Sequence, residues 1–243
     1  MGEPQNLAVV VGVGGGLGGA IARALVAQGV YDRVVGIARR PLADGPENPA
    51  TTFISADILQ ERDLASAASI IRQLGSVRRV VVATGVLHGE RITPEKTMRS
   101  LDAATMLELF AVNAVAPAMI AKHLLPLTPR DRPSVFAALS ARVGSISDNH
   151  LGGWYGYRAS KAALNMLIAT LAIEQARTHP LSTCVALHPG TVETRLSAPF
   201  AQGAVPGRLT PEASATALVG LMDRLGPQDN GGFFAWDGTT IEW

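Results

Sequence analysis

The sequence predicts an α/β fold: a doubly wound parallel sheet of about seven strands with helices on both faces. Three observations predict it. Apolar runs of strand length alternate along the chain with helical patterns. Several of those runs, such as Arg79-Val80-Val81-Val82-Ala83, are apolar almost throughout, as strands are when helices cover both faces of a parallel sheet. A glycine-rich turn also leads straight from the first apolar run into a helical pattern.

Taken in order, Leu7-Ala8-Val9-Val10-Val11 predicts a strand over 7–12, and Ala20-Ile21-Ala22-Arg23-Ala24-Leu25-Val26 belongs to a helix over 17–29. Further strands are expected over 32–38, 52–56, 78–84, 133–139, 182–188 and 232–236. Further helices are expected over 61–74, 102–125, 155–178 and 211–225. The stretch from Ala103 to Ala121 is apolar enough to raise a membrane span, but Glu108, Asn113 and Pro117 interrupt it, and a buried helix is expected instead.

The chain has 243 residues, of which 47% are hydrophobic, enough for one substantial core, and no linker or repeat divides it. A single domain over 1–243 is expected. The net charge is +1 with both signs interspersed, which gives no nucleic-acid face. Cys184 is the only cysteine, so an intramolecular disulfide is excluded and a small core residue is expected. Met1-Gly2-Glu3-Pro4-Gln5-Asn6 carries no basic region followed by an apolar one, so a cytoplasmic protein is expected. His88, His123, His150, His179 and His188 have no metal-ligand spacing, and no metal is expected.

Two motifs carry chemistry. The turn Gly12-Val13-Gly14-Gly15-Gly16-Leu17-Gly18-Gly19 places backbone N–H groups at a helix start with no Cβ in the way, which suits a phosphate. Its glycines read as GxGxxG through Gly14, Gly16 and Gly19, or as GxxxGxG through Gly12, Gly16 and Gly18. The second register is preferred because it starts where the strand stops and sets aliphatic Leu17 between its last two glycines. The other motif is Tyr157 and Lys161 in Tyr155-Gly156-Tyr157-Arg158-Ala159-Ser160-Lys161. Four residues advance a helix by slightly more than one turn, so the ammonium is expected beside the phenol, lowering a pKa that is otherwise about 10 and providing an acid usable near neutrality. Tyr155 has Ala159 four residues on and is expected, with Trp154, to form the pocket wall or the helix start.

With both motifs in hand, the chain resembles the short-chain dehydrogenase/reductase family over essentially its whole length. Within it, Gly144-Ser145-Ile146-Ser147-Asp148-Asn149 and Gly231-Gly232-Phe233-Phe234-Ala235-Trp236-Asp237-Gly238 look most like the carbonyl-reductase-like group that includes sniffer and the bacterial C-factor proteins. The resemblance implies a Rossmann-like fold and a pyridine-nucleotide oxidoreductase acting on a small to medium carbonyl compound or its alcohol. It assigns Gly12, Gly16, Leu17 and Gly18 to the cofactor phosphates, and Asp57 with Ile58 to the adenine. Val82-Ala83-Thr84-Gly85 stands in the place of the family's Asn-Asn-Ala-Gly, of which only the glycine is kept, and Ala83, Thr84 and Gly85 are assigned to the cofactor. Pro189, Gly190, Val192 and Thr194 match the segment that wraps the nicotinamide end. Tyr157 is the implied proton donor, Lys161 its partner and a ligand of the nicotinamide ribose, and Asn113 the residue that kinks its helix and links Lys161 to solvent. A pack of the Asn113 helix and the Tyr157 helix across a two-fold axis, giving a homodimer or homotetramer, is also implied.

Two departures matter. Ala141 stands where the family's catalytic hydroxyl is expected, with Ser140 one position earlier. Ser140 is expected to reach the substrate, Ser145 being the alternative and no serine at all the third. At the end of the second strand, Gly36-Ile37-Ala38-Arg39-Arg40 has Ala38 where NAD-preferring relatives carry an acidic residue. Arg39, with Arg40 beside it, can pair with a 2′-phosphate, so NADP(H) is expected ahead of NAD(H). A cofactor-binding regulatory protein with little turnover is the alternative function.

Overall fold

The computed structural model describes residues 5–40, 50–200 and 207–243, so residues 1–4 of the stretch read for targeting signals lie outside it. Strands β1 (Asn6–Val11), β2 (Arg33–Ala38), β3 (Thr51–Ser55), β4 (Ser76–Val82), β5 (Ser134–Leu139), β6 (Ser182–His188) and β7 (Phe233–Ala235) form one sheet. Its order is β3-β2-β1-β4-β5-β6-β7, and every neighbouring pair is parallel. From β1 the chain builds outward to β3, then returns to β4 and builds the other way. That reversal opens a crevice beyond the C-terminal ends of β1 and β4, where ligands bind in folds of this kind.

Helices α1 (Gly16–Gln28), α2 (Glu61–Leu74), α3 (Ala103–Phe110), α4 (Ala116–Leu124), α5 (Tyr155–Ala176) and α6 (Pro211–Arg224) cover the sheet. Successive strand residues face opposite layers. Val9, Val11, Phe136 and Ala138 pack with α2, α4 and α5 through Ile71, Ile120, Leu164 and Ile168. Ala8, Val10, Val81 and Ala137 pack with α1 and α6 through Ile21, Leu25, Leu218 and Met222. β1, at the centre, is buried on both faces from Leu7 to Val11, which is why it reads as an unbroken apolar run. Cys184 lies in this interior, where burial pushes its thiol up to about 12. It is a packing residue at neutral pH.

The helix expected over 102–125 is interrupted. Between α3 and α4 the chain makes one wide π turn over Ala111–Val115, in which the Ala116 N–H donates to the Ala111 carbonyl. Pro117 supplies the reason, because it has no N–H to give the carbonyl of Asn113 four residues back. Ala103–Leu127 contains an 18-residue window with a mean hydropathy of 1.6 and is long and apolar enough, by length and composition only, to cross a membrane. Here its inner side packs on α2, α5 and the sheet.

Candidate functional site

At the crevice, β1 ends in Gly12, whose φ of 97° is a conformation that side chains disfavour, and whose N–H donates to the Ile37 carbonyl of β2. A Cβ on Gly18 would drive into the Gly12 carbonyl oxygen, so α1 can start this close to β1 only without one. The N-cap of α1 is Gly15, which brings no side chain to cap the first turn. The orphan N–H groups of that turn therefore face the crevice, a cradle that fits the phosphates of a dinucleotide. Leu17 anchors the turn by packing into the core. Ala38 lies alongside, 3.7 Å from where a Gly14 Cβ would stand, and Arg39 and Arg40 follow it exposed. Ala56 is hydrogen-bonded to Ala38 across the sheet, which sets Asp57 and Ile58 at the same rim. Across the groove, the Thr194 methyl is 3.6 Å from the Cβ position of Gly16. The segment carrying Pro189, Gly190, Val192 and Thr194 thus closes over the glycine turn. Gly190 has φ 81° and lies against Trp236, and Val192 is bridged to Leu209.

The end of β4 brings the two halves together. Ala83 and Thr84 press on Gly12, and the Thr84 hydroxyl is buried with no hydrogen-bond partner among the described residues. The Cβ position of Gly85 is 3.5 Å from both Asn113 Oδ1 and Lys161 Nζ. Asn113 is fully buried in the π turn: Oδ1 accepts the Val86 N–H at 2.8 Å, and Nδ2 donates to the Val86 carbonyl at 2.8 Å and to Ser160 Oγ at 3.1 Å. Ser160 in turn donates to the Tyr157 carbonyl at 2.8 Å. Lys161 Nζ donates to the Leu139 carbonyl at 2.8 Å and stands 5.9 Å from the centre of the Tyr157 ring.

Both groups are buried, and burial disfavours charge on each. It pushes the Tyr157 phenol above its usual range and Lys161 down to about 8. The expected lowering of the Tyr157 pKa by Lys161 is therefore corrected: burial of the phenol raises it instead.

Ser140 does not sit where the sequence reading put it. Leu139, Ser140 and Ala141 leave β5 with alternating side chains, and Ser140 turns under α5, donating its hydroxyl to Asn165 Oδ1 at 2.6 Å. Asn165 passes the link to the Gly144 carbonyl at 3.3 Å. It is Ala141 that packs in the apolar cluster around Tyr157. The strand carries on without the bulge that Ser140 needed, so its hydroxyl is spent on structure. Ser145, the alternative, is buried and bonded within its own turn to Ser147 Oγ and the Asp148 N–H, both at 3.2 Å.

A family model described as short chain dehydrogenase matches residues 6–204. The chain belongs to that family. C-signal of Myxococcus xanthus is 34% identical over 143 residues, covering 59% of this chain and 81% of that protein. The 1-hydroxy-2-glutathionyl-2-methyl-3-butene dehydrogenase of Rhodococcus sp. strain AD45 is 29% identical over 249 residues, 98% of this chain and all of that one. The fold is that of the NADPH-bound carbonyl reductase from chicken fatty liver, with a TM-score of 0.87 at 21% identity over 99% of this chain and 95% of that one. Membership makes the chain an NAD(P)-dependent oxidoreductase acting on small molecules.

Around Tyr157 the chain gathers an apolar cluster of which the sequence disclosed only Trp154. Leu87, Ile92 and Leu109 pack around Tyr157, with Val86, Val143, Trp154 and Leu196 beside them. Trp154 lies edge-on to Tyr157, 6.2 Å between ring centres, and 5.0 Å from Phe200. His88 is held by the Arg195 carbonyl at 2.9 Å and meets Phe200 at 5.7 Å. These residues come from five separate segments, so no local signal groups them. Ser160 and Asn165 could have been found, since they lie three and eight residues after Tyr157 on the buried side of α5.

Proposed function

We propose that this chain interconverts a small to medium carbonyl compound and its alcohol with NADP(H), Tyr157 being the proton donor and acceptor. The observation that carries the reading is the meeting of Asn113 Oδ1 and Lys161 Nζ at Gly85, with Tyr157 one turn earlier on α5 and the glycine cradle alongside. The bound nicotinamide supplies or takes the hydride. Tyr157, kept protonated by its burial, donates its proton to the developing alkoxide in reduction and takes one back in oxidation. Lys161 contributes a positive charge below about pH 8 and binds the ribose, while Asn113 fixes the π turn behind it. Ala141 leaves the substrate oxygen with Tyr157 as its donor, and the apolar cluster suits a hydrophobic substituent. Arg39 reads the 2′-phosphate; NADPH in the chicken carbonyl reductase supports this choice.

The outer sides of the α3–α4 and α5 helices expose Leu107, Val115, Met166 and Ile173, which supports a homodimer or homotetramer through these helices, readable by sedimentation. We assign the protein to the cytoplasm as one domain, without nucleic-acid or membrane partners, which cell fractionation tests. Ala141, and the likeness to C-signal, favour a second reading as a cofactor-binding regulator with little turnover.

A panel of carbonyls and alcohols with both cofactors, followed at the nicotinamide absorbance, separates the two. Tyr157→Phe should keep its melting temperature and cofactor affinity while losing about 10²- to 10⁴-fold in turnover. Near-normal turnover by the folded variant would overturn the assignment.

A further inference from the structure

Helix α5 opens in an unusual way. Gly152, Gly153 and Trp154 have φ values of 63°, 66° and 51°, and Trp154 is the only non-glycine with positive φ among the described residues. Trp154 is also the N-cap, yet its side chain makes no capping bond. A helix start of this kind needs acceptors for its first N–H groups, and a carboxylate serves best there.

Glu95, 61 residues upstream of Gly156, provides them. Its main-chain carbonyl accepts the Trp154 N–H at 2.5 Å, and both carboxylate oxygens lie 3.3 Å from the Gly156 nitrogen. Glu95 as a whole is 3% exposed. Gly156 has no Cβ where one would stand 2.9 Å from Glu95 Oε1 and 2.7 Å from a Leu109 methyl. Arg158 clamps the same turn from the other side, donating to the Gly153 and Val143 carbonyls at 3.0 and 3.3 Å. What this clasp holds is the Trp154 ring between Tyr157 and Phe200.

We propose that Glu95 is a positioning residue: by capping α5 from the loop after β4 it holds Trp154 over Tyr157, and so sets the width of the substrate pocket. The functional half of this statement rests on Tyr157 being the proton-transfer residue. The structural half stands alone.

The experiment uses the full chain carrying 5-fluorotryptophan, with the Trp154 fluorine resonance assigned by Trp154→Phe. In the cofactor-free protein, Glu95→Ala should move and broaden that resonance and leave those of Trp236 and Trp243 in place. With cofactor bound, KM for the carbonyl substrate should rise roughly ten-fold or more, the scale of lost pocket contacts, while kcat and the cofactor Kd change less than about three-fold. Glu95→Gln, which keeps an oxygen for the Gly156 N–H, should return both the resonance and KM most of the way. If Glu95→Ala does not fold, Glu95→Asp, which draws the carboxylate back by one methylene, should show the same changes in smaller measure. An unmoved Trp154 resonance with unchanged KM in a folded variant overturns the proposal, as does an equal loss across kcat, KM and cofactor affinity. Absence of any turnover in the parent protein would instead strike the oxidoreductase reading, and the fluorine signal would still decide whether Glu95 holds Trp154.

Discussion

At the glycine turn the chain makes room by leaving side chains out, whereas around Tyr157 it closes room by bringing side chains in. The first half of the crevice is backbone: Gly12, Gly16 and Gly18 let β1, α1 and the Thr194 segment approach within contact, and what it offers a ligand is the N–H groups at the start of α1. The second half is a set of rings and aliphatic chains from the Val86–Ile92 stretch, Leu109, Val143, the start of α5 and the Leu196–Phe200 stretch. Gly12 and Gly18 tolerate no added atom, while a side-chain site can be resized one residue at a time. Cofactor binding should accordingly be brittle, and substrate choice adjustable.

The sharpest way to break that contrast is Gly18→Ala. Its Cβ would meet backbone at the Gly12 carbonyl, so nothing flexible can yield. Overpacking of this sort costs up to about 3 kcal/mol, and cofactor Kd should rise by roughly 100-fold while the residual chemistry at saturating cofactor persists. A Kd within a factor of three of the parent would show that the turn is looser than its geometry implies.

Arg39→Ala tests whether any side chain matters on the cofactor side. Loss of one charge-assisted phosphate contact costs about 1.5–3 kcal/mol, so the ratio of kcat/KM for NADPH over NADH should fall roughly 10- to 150-fold. A ratio that starts in favour of NADH, or that the substitution leaves alone, removes Arg39 from the 2′-phosphate.

On the other side the burial of Lys161 gives a pH signature. Its pKa of about 8 in the fold lies below the value of about 10.4 in an unfolded chain. Between those values the unfolded chain binds the extra proton, so stability rises with pH there and the full penalty of burying the charge is felt below about 8. Carbonyl reduction should do the opposite, declining as pH climbs through about 8 and the charge beside Tyr157 is lost. Melting temperatures of the cofactor-free protein and kcat/KM profiles over the same range check both signs: a stability that does not rise would contradict the burial of Lys161, and an activity that does not decline would remove its charge from the chemistry.

The smallest effect belongs to Ser140→Ala. The hydroxyl is bonded to Asn165 under α5, so its loss should lower stability by about 1 kcal/mol and change turnover by less than about three-fold. A hundred-fold loss of turnover, the scale of a lost oxyanion donor, would return Ser140 to the substrate.

The sequence by itself determined the parallel sheet, the glycine turn, and the pairing of Tyr157 with Lys161, because each depends on periodicity or on contacts within a few residues; Asn113, far from both along the chain, was joined to them only by the family resemblance. β1 is legible since burial on both faces demands an unbroken apolar run. The π turn was within reach through Pro117, which denies Asn113 its helical partner wherever the helix is placed. Three matters only the tertiary structure decided. The side of the strand to which Ser140 points depends on whether β5 bulges, and a single residue of register reverses it. The direction of the Tyr157 and Lys161 shifts depends on how deeply both are buried, and spacing on a helix says nothing of depth. The clasp of Glu95 on α5 joins residues 61 positions apart, and distances of that kind are set by how the sheet is wound, not by any pattern along the chain.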